Sequence, residues 1–253
     1  YNDVSYASGG AAALATAAFA LQIYCDFGGY SDIARGCSEM MGVELMVNFK
    51  APYFALSMRD FWKRWHISLT SWFREYVYFP LGGSRRGFAR TLRNTLIVFA
   101  LSGLWHGASW TFVVWGLLHA LYLCAELIWN RLRRNAPKAP GPCCKALLLL
   151  KTFVLACIAW AFFRADTMAD ALAVLGAAFA GLRHPLTWMQ DAWHLLTAGG
   201  TLTAAITVFS VLVLLLGDLL DEKNDAMAAV GRLRPAARYA LYVVFLGISR
   251  SIP

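Results

Sequence analysis

Residues 95–123 read TLIVFALSGLWHGASWTFVVWGLLHALYL. Two apolar runs, 95–104 and 110–129, flank a short polar interruption, Ser102–Trp110. The first run, about ten residues, would rise only roughly 15 Å as a helix, half the hydrocarbon thickness of a bilayer. Basic segments precede the pair (59–93) and follow it (131–145). By the positive-inside rule both ends of the pair then face the cytoplasm. The stretch therefore reads as a helical hairpin with Trp105-His106-Gly107 near its turn and a re-entrant first arm. Irregular backbone at that depth needs protein or a water-filled cavity around it. An ionisable side chain there is a functional candidate. A neutral histidine bonded to a backbone carbonyl is the plain alternative.

The rest of the chain agrees with a membrane setting. Hydrophobic residues make up 59% of the 253 residues and charged residues 15%, against about 25% charged in soluble domains. Mean hydropathy is +0.51. The net charge of +8 falls between apolar segments, as loop charge does in membrane proteins, and no nucleic-acid motif accompanies it. Six cysteines include no CxxC pair, and no HExxH-type spacing occurs, so neither a metal nor a bound cofactor is expected.

Further apolar runs cover 9–24, 147–163, 202–217 and 239–253. The loops 131–145 and 218–238 are basic and read as cytoplasmic, while 164–201 reads as external. The chain starts at Tyr1 without Met or a basic leader, and reads as a fragment whose upstream spans are missing. No soluble domain and no internal repeat interrupts it. The expectation is one membrane-embedded domain over 1–253, an all-α polytopic bundle with re-entrant and interfacial helices around a polar tunnel.

Two stretches carry unusual polarity. In CDFGGYSDIARG (Cys25–Gly36), three glycines, two aspartates and an arginine suggest a loop or a broken helix lining a polar cavity. Asp26, Tyr30 and Asp32 are its tunnel candidates. In DFWKRWHISLTSWFREYVYFPLGG (Asp60–Gly83), a continuous helix would pair Asp60 with Arg64 and put Trp62, His66, Leu69 and Phe73 on one face. Such a segment fits either an interfacial amphipathic helix or a helix carrying His66 into a polar cavity. His119, in a smooth apolar run, reads as packing, and His184 and His194 read as solvated.

QIYCDFGGYSDIARG, NFKAPY, RDFWKRWHISLTSWFREYVYFPLGGSRRG, RNTLIVFALSGLWHGASWTFVVWGLLHAL and TFVLACIAWAFFRADTMADAL, taken in order, resemble the membrane-bound O-acyltransferases, and within them the alginate O-acetylase branch. The resemblance covers roughly residues 20–175, with the core motifs in 20–130. It implies transfer of an acyl group, acetyl in this branch, to a hydroxyl of an exopolysaccharide or its periplasmic relay protein in the bacterial inner membrane. It makes His106 the catalytic histidine and His66 the second characteristic histidine. It also implies membrane lipid, a cytosolic acyl carrier and a thioester donor such as acetyl-CoA as partners.

The chemistry fits that implication. A hydroxyl is a weak nucleophile, and a neutral histidine can take its proton as it attacks. The tetrahedral intermediate needs donors aimed at its oxyanion. Candidates are the His66 ring N–H, the indole N–H of Trp65 or Trp105, and Ser102, with Asp60 and Arg64 as polar tunnel residues. Two other classes compete: a non-catalytic polysaccharide-export or channel subunit, and a scaffold recruiting partners through 60–76. A D-alanyl-type transferase to a cell-wall polymer is the alternative within the resemblance.

Overall fold

A computed structural model describes residues 8–133, 140–224, 232 and 234–237. The apolar run 239–253 and the middle of the loop 131–145 lie outside the described residues, as do 225–231, 233 and 238 of the loop 218–238. Among the described residues every regular element is helical. Four helices among the described residues are long and apolar enough to cross a membrane: Gly9–Met40, Trp110–Leu132, Pro142–Arg164 and Thr201–Leu220. The chain is a polytopic all-α membrane protein, and it divides into two compact units at Thr207/Val208.

In the first unit, α1 (Gly9–Met40) is one unbroken helix of 32 residues. It does not stop at Tyr24, and Cys25–Gly36 is neither a loop nor a break. A glycine in a helix costs about 1 kcal/mol relative to alanine. Here a buried stripe of Gly10, Ala12, Thr16, Ala20, Tyr24, Ser31 and Ser38 holds the helix through its glycines. α1 packs on α6 (Pro142–Arg164), α7 (Met168–Ala180) and α8 (Pro185–Thr197), and farther along Ser31 accepts the Asn48 amide N–H at 3.3 Å. The segment 164–201 thus contains two helices; His184 and His194 are exposed there. Thr167 caps α7 by accepting the Asp170 N–H at 3.1 Å.

The segment 60–76 is not one amphipathic helix. It forms α2 (Met58–Arg64), then a corner at Trp65–His66, then α3 (Ile67–Phe73), then a π turn over Arg74–Tyr78. The expected Asp60–Arg64 pair is present at 3.1 Å. The expected shared face is not, because His66 adopts φ 43, ψ 55, in the left-handed region. The cause is non-local. The extended segment before Ala51 pairs with the corner: the Ile67 N–H donates to the Asn48 carbonyl at 3.0 Å, and the Lys50 N–H to the Arg64 carbonyl at 3.0 Å.

Two helices form the hairpin expected over 95–129: α4 (Phe88–His106) and α5 (Trp110–Leu132). The first arm is longer than its apolar run, with 19 residues. Hydropathy underrates it because Thr91, Asn94, Thr95 and Ser102 are polar yet buried against protein. The two helices touch backbone to backbone. A Cβ on Gly103 would sit 2.4 Å from the Phe112 carbonyl oxygen, and one on Gly116 2.2 Å from that of Phe99. Ser109 starts α5 by accepting the Thr111 N–H at 3.3 Å.

Glu126 ties the corner to this hairpin. Although α5 is an apolar span, the Glu126 carboxylate accepts the N–H groups of Met58 at 2.8 Å and Arg59 at 3.1 Å. It thereby satisfies the free first turn of α2, and Lys151 of α6 lies 3.9 Å from it. Phe61, Trp62, Trp65, Trp115 and Trp160 fill the space between these helices. In the second unit, the described part of α9 (Thr201–Asn224) exposes Phe209, Leu212, Leu216 and Leu220, as a lipid-facing helix does.

A histidine pocket as candidate active site

His66 and His106 line one cavity of about 270 Å³. They come to it from different directions. His66 is presented by the α2–α3 corner, and His106 is the last residue of α4. Trp105 lies beside both, with ring centroids 6.3 Å from His66 and 4.9 Å from His106. The rest of the His106 surround is aromatic: Trp115 at 4.9 Å and Phe163 at 5.1 Å, both edge-on. Phe27 of α1 stands edge-on to His66 at 4.7 Å. Ile23, Trp62, Trp65, Leu69 and Trp160 complete the lining.

The chemistry such a lining permits follows from its composition. Walls of indole and phenyl rings keep water scarce and make any dipole or charge at the two imidazoles count for more. The corner lies outside the four apolar spans. There burial, and behind it the neighbouring His106, pushes the His66 imidazole down to about 4, so this ring is neutral at physiological pH. Its Nδ1 lies 3.4 Å from the Ser68 Oγ. Ser68 Oγ in turn meets the Asn48 Oδ1 at 2.5 Å.

The other candidates divide. Trp65 and Trp105 line the cavity, Trp65 nearly buried and Trp105 58% exposed. Ser102 is buried on α4, outside the lining. Asp60 and Arg64 are occupied in α2: Asp60 pairs with Arg64 and also accepts the Leu56 N–H at 3.2 Å. Asp26, Tyr30 and Asp32 are exposed on α1 and do not line the cavity; Asp32 pairs with Arg35 at 3.2 Å. His119 is fully buried and accepts the Trp62 indole N–H at 3.3 Å, a packing role.

Sequence reasoning passed over Asn48, Ser68, Phe27 and Phe163. Ser68 and Asn48 stand inside stretches already singled out, but nothing in their spacing ties them to His66. Two larger cavities contain no histidine. One, of about 470 Å³, lies around Gly82–Arg86. The other, of about 330 Å³, lies between the π turn, α4 and α5.

Residues 4–160 match the MBOAT, membrane-bound O-acyltransferase family. The match covers more than half of the chain, and the chain belongs to that family. With its apolar helices it is an integral membrane protein of the bacterial inner membrane.

Among similar proteins, the "Probable alginate O-acetylase AlgI" of Pseudomonas putida is 43% identical over 171 residues, 68% of this chain and 34% of that protein. The peptidoglycan O-acetyltransferase of Helicobacter pylori is 43% identical over 157 residues, 62% of this chain and 29% of that protein. The teichoic acid D-alanyltransferase of Streptococcus thermophilus is 32% identical over 127 residues, 47% of this chain and 31% of that protein. The chain thus spans about a third of the length of the curated relatives it matches.

Proposed function

We propose that the protein to which this chain belongs is an O-acyltransferase that uses His106 as general base, with His66 beside it, to move an acetyl group from a thioester to a hydroxyl of an exported polysaccharide or of a periplasmic relay protein. The observation that carries this reading is the convergence of the two histidines, 40 residues apart in sequence, on one aromatic cavity. A pore or a scaffold has no need of that convergence.

In this reading the acceptor hydroxyl gives its proton to an imidazole as its oxygen bonds to the acyl carbon. The tetrahedral oxyanion collects N–H donors, for which the Trp65 and Trp105 indoles are the candidates in the lining. The C–S bond then breaks, and the imidazole returns the proton to the departing thiolate. The 330 Å³ cavity counts Arg59 and Arg74 in its lining, along with Glu126, and these two guanidinium groups supply phosphate-binding chemistry for a thioester donor such as acetyl-CoA or a cytosolic acyl carrier. The lipid of the membrane closes the remaining faces.

The test uses the full-length protein in cells. Ester-linked acetyl groups on exported polymer are compared between wild type and His106→Ala at matched membrane levels. The expected result is loss of acetylation by a factor of about 10² to 10⁴ with polymer secretion intact. Acetylation that persists in His106→Ala overturns the reading and favours a conduit without chemistry. D-alanyl esters in place of acetyl would move the substrate class to that of the D-alanyltransferases.

A further inference from the structure

The hydrogen bonds around His66 have only one consistent direction. The Ser68 backbone N–H lies 3.2 Å from the Asn48 Oδ1, and a backbone N–H can only donate. That fixes the Asn48 amide with its oxygen toward Ser68 and its nitrogen toward Ser31 Oγ, 3.3 Å away. The Ser68 hydroxyl stands 2.5 Å from the same Oδ1. Two oxygens that close need a proton between them, and the amide oxygen has none. The Ser68 hydroxyl therefore gives its single proton to Asn48. What remains on Ser68 Oγ is lone pairs, and the His66 Nδ1 at 3.4 Å must bring the proton. His66 then carries its hydrogen on Nδ1, and Nε2 is its bare acceptor.

From this we infer that Asn48 and Ser68 are positioning residues: they fix His66 as the Nδ1–H tautomer and so decide which ring nitrogen can accept a proton in the cavity. The inference rests on the transferase reading for its catalytic meaning, while the proton positions stand apart from it. The backbone supports the same assignment. Asn48 holds the corner twice, once by its side chain and once by accepting the Ile67 N–H through its carbonyl. His66 is one of two non-glycine residues with positive φ among the described residues; the other is Ala51, at the end of the same paired segment. Left-handed backbone at a residue with a β-carbon persists where its surroundings over-determine it. Here Asn48 serves both ends: its carbonyl holds the corner's backbone, and its side chain receives the Ser68 hydroxyl that faces the His66 ring. A histidine whose tautomer is fixed by its second nitrogen's partner is ready to act without first moving a proton.

The measurement is histidine ¹⁵N NMR of the full-length protein in lipid nanodiscs, with His66→Gln used to assign the His66 signals. A protonated Nδ1 and an unprotonated Nε2 at neutral pH are expected. A protonated Nε2 overturns the inference. Ser68→Ala should then shift the ring toward the other tautomer and lower kcat about 10- to 100-fold with little change in KM. Ser68→Thr, which restores the hydroxyl, should recover both the ring signals and most of kcat.

If Ser68→Ala leaves tautomer and kcat unchanged, the relay is wrong. If activity falls with an unchanged tautomer and threonine does not restore it, Ser68 is only structural and the inference also fails. Loss of the transferase reading looks different: His106→Ala would keep full acetylation while the wild-type His66 ring still showed its proton on Nδ1.

Discussion

The two histidines of the pocket are delivered by opposite kinds of structure. His106 ends a regular helix, and its position follows from how closely α4 and α5 can approach. Nothing but absent side chains makes that approach possible, at Gly103 and Gly116. His66 sits on irregular backbone whose shape is imposed by hydrogen bonds from residues 48–50. The hairpin is held by volume and the corner by polar contacts. Volume errors spread along a whole seam, whereas a broken polar contact is felt where it occurs. A site assembled from both gains one wall that is hard to deform and one that local bonds can adjust.

The largest effect should come from the seam. Gly116→Ala puts a methyl group 2.2 Å from a backbone oxygen, which cannot step aside as a side chain could. The expected loss is about 3 kcal/mol, read as a lower thermal midpoint in detergent and reduced recovery of folded protein. Unchanged stability would show that the helices are not in backbone contact.

Next is the latch between the two regions. Glu126→Ala strips the acceptors from the N–H groups of Met58 and Arg59 and should cost about 2 kcal/mol. Limited proteolysis should find the new cleavage in 55–75, with α4–α5 still protected. Equal loosening of both regions would mean that they are a single cooperative unit.

A smaller effect separates strain from chemistry at the corner. His66→Gly should be about 1 kcal/mol more stable than His66→Ala, since only alanine keeps the cost of left-handed backbone. Both should be impaired in acyl transfer. A glycine variant no more stable than the alanine one would show that the corner relaxes once the imidazole is gone. Smallest of all, Asp60→Asn should cost about 0.5 kcal/mol, because the Arg64 pair is partly exposed and the Leu56 bond survives. A loss several times larger would show that α2 itself, and not only its corner, sets the pocket.

The same contrast explains what could be read from the chain. Apolar runs are enough for the spans around 9–24, 110–129, 147–163 and 202–217 and for the hairpin, because helix and burial both leave periodic, local marks. The polar first half of α4 hid its length, since Asn94 and its neighbours are buried by protein that hydropathy does not see. Cys25–Gly36 resembles a break because glycine propensity is local, while the buried positions Tyr24, Ser31 and Ser38 that continue α1 are set by packing. The corner was illegible for another reason: Trp65-His66-Ile67 contains no glycine or proline, and its left-handed turn is imposed by residues about 18 positions earlier. Asp26, Tyr30 and Asp32 stand out by polarity in an apolar chain, yet polarity alone does not say which side of a helix faces a cavity.

The length of α1 carries one more implication. Its 32 residues make a rod of about 48 Å, against a hydrocarbon layer of about 30 Å. A rod that much longer than the layer tilts or projects. Phe27 is fixed on that rod with its ring against His66. The pocket thus takes one wall from a helix that extends well past its own apolar run, 9–24.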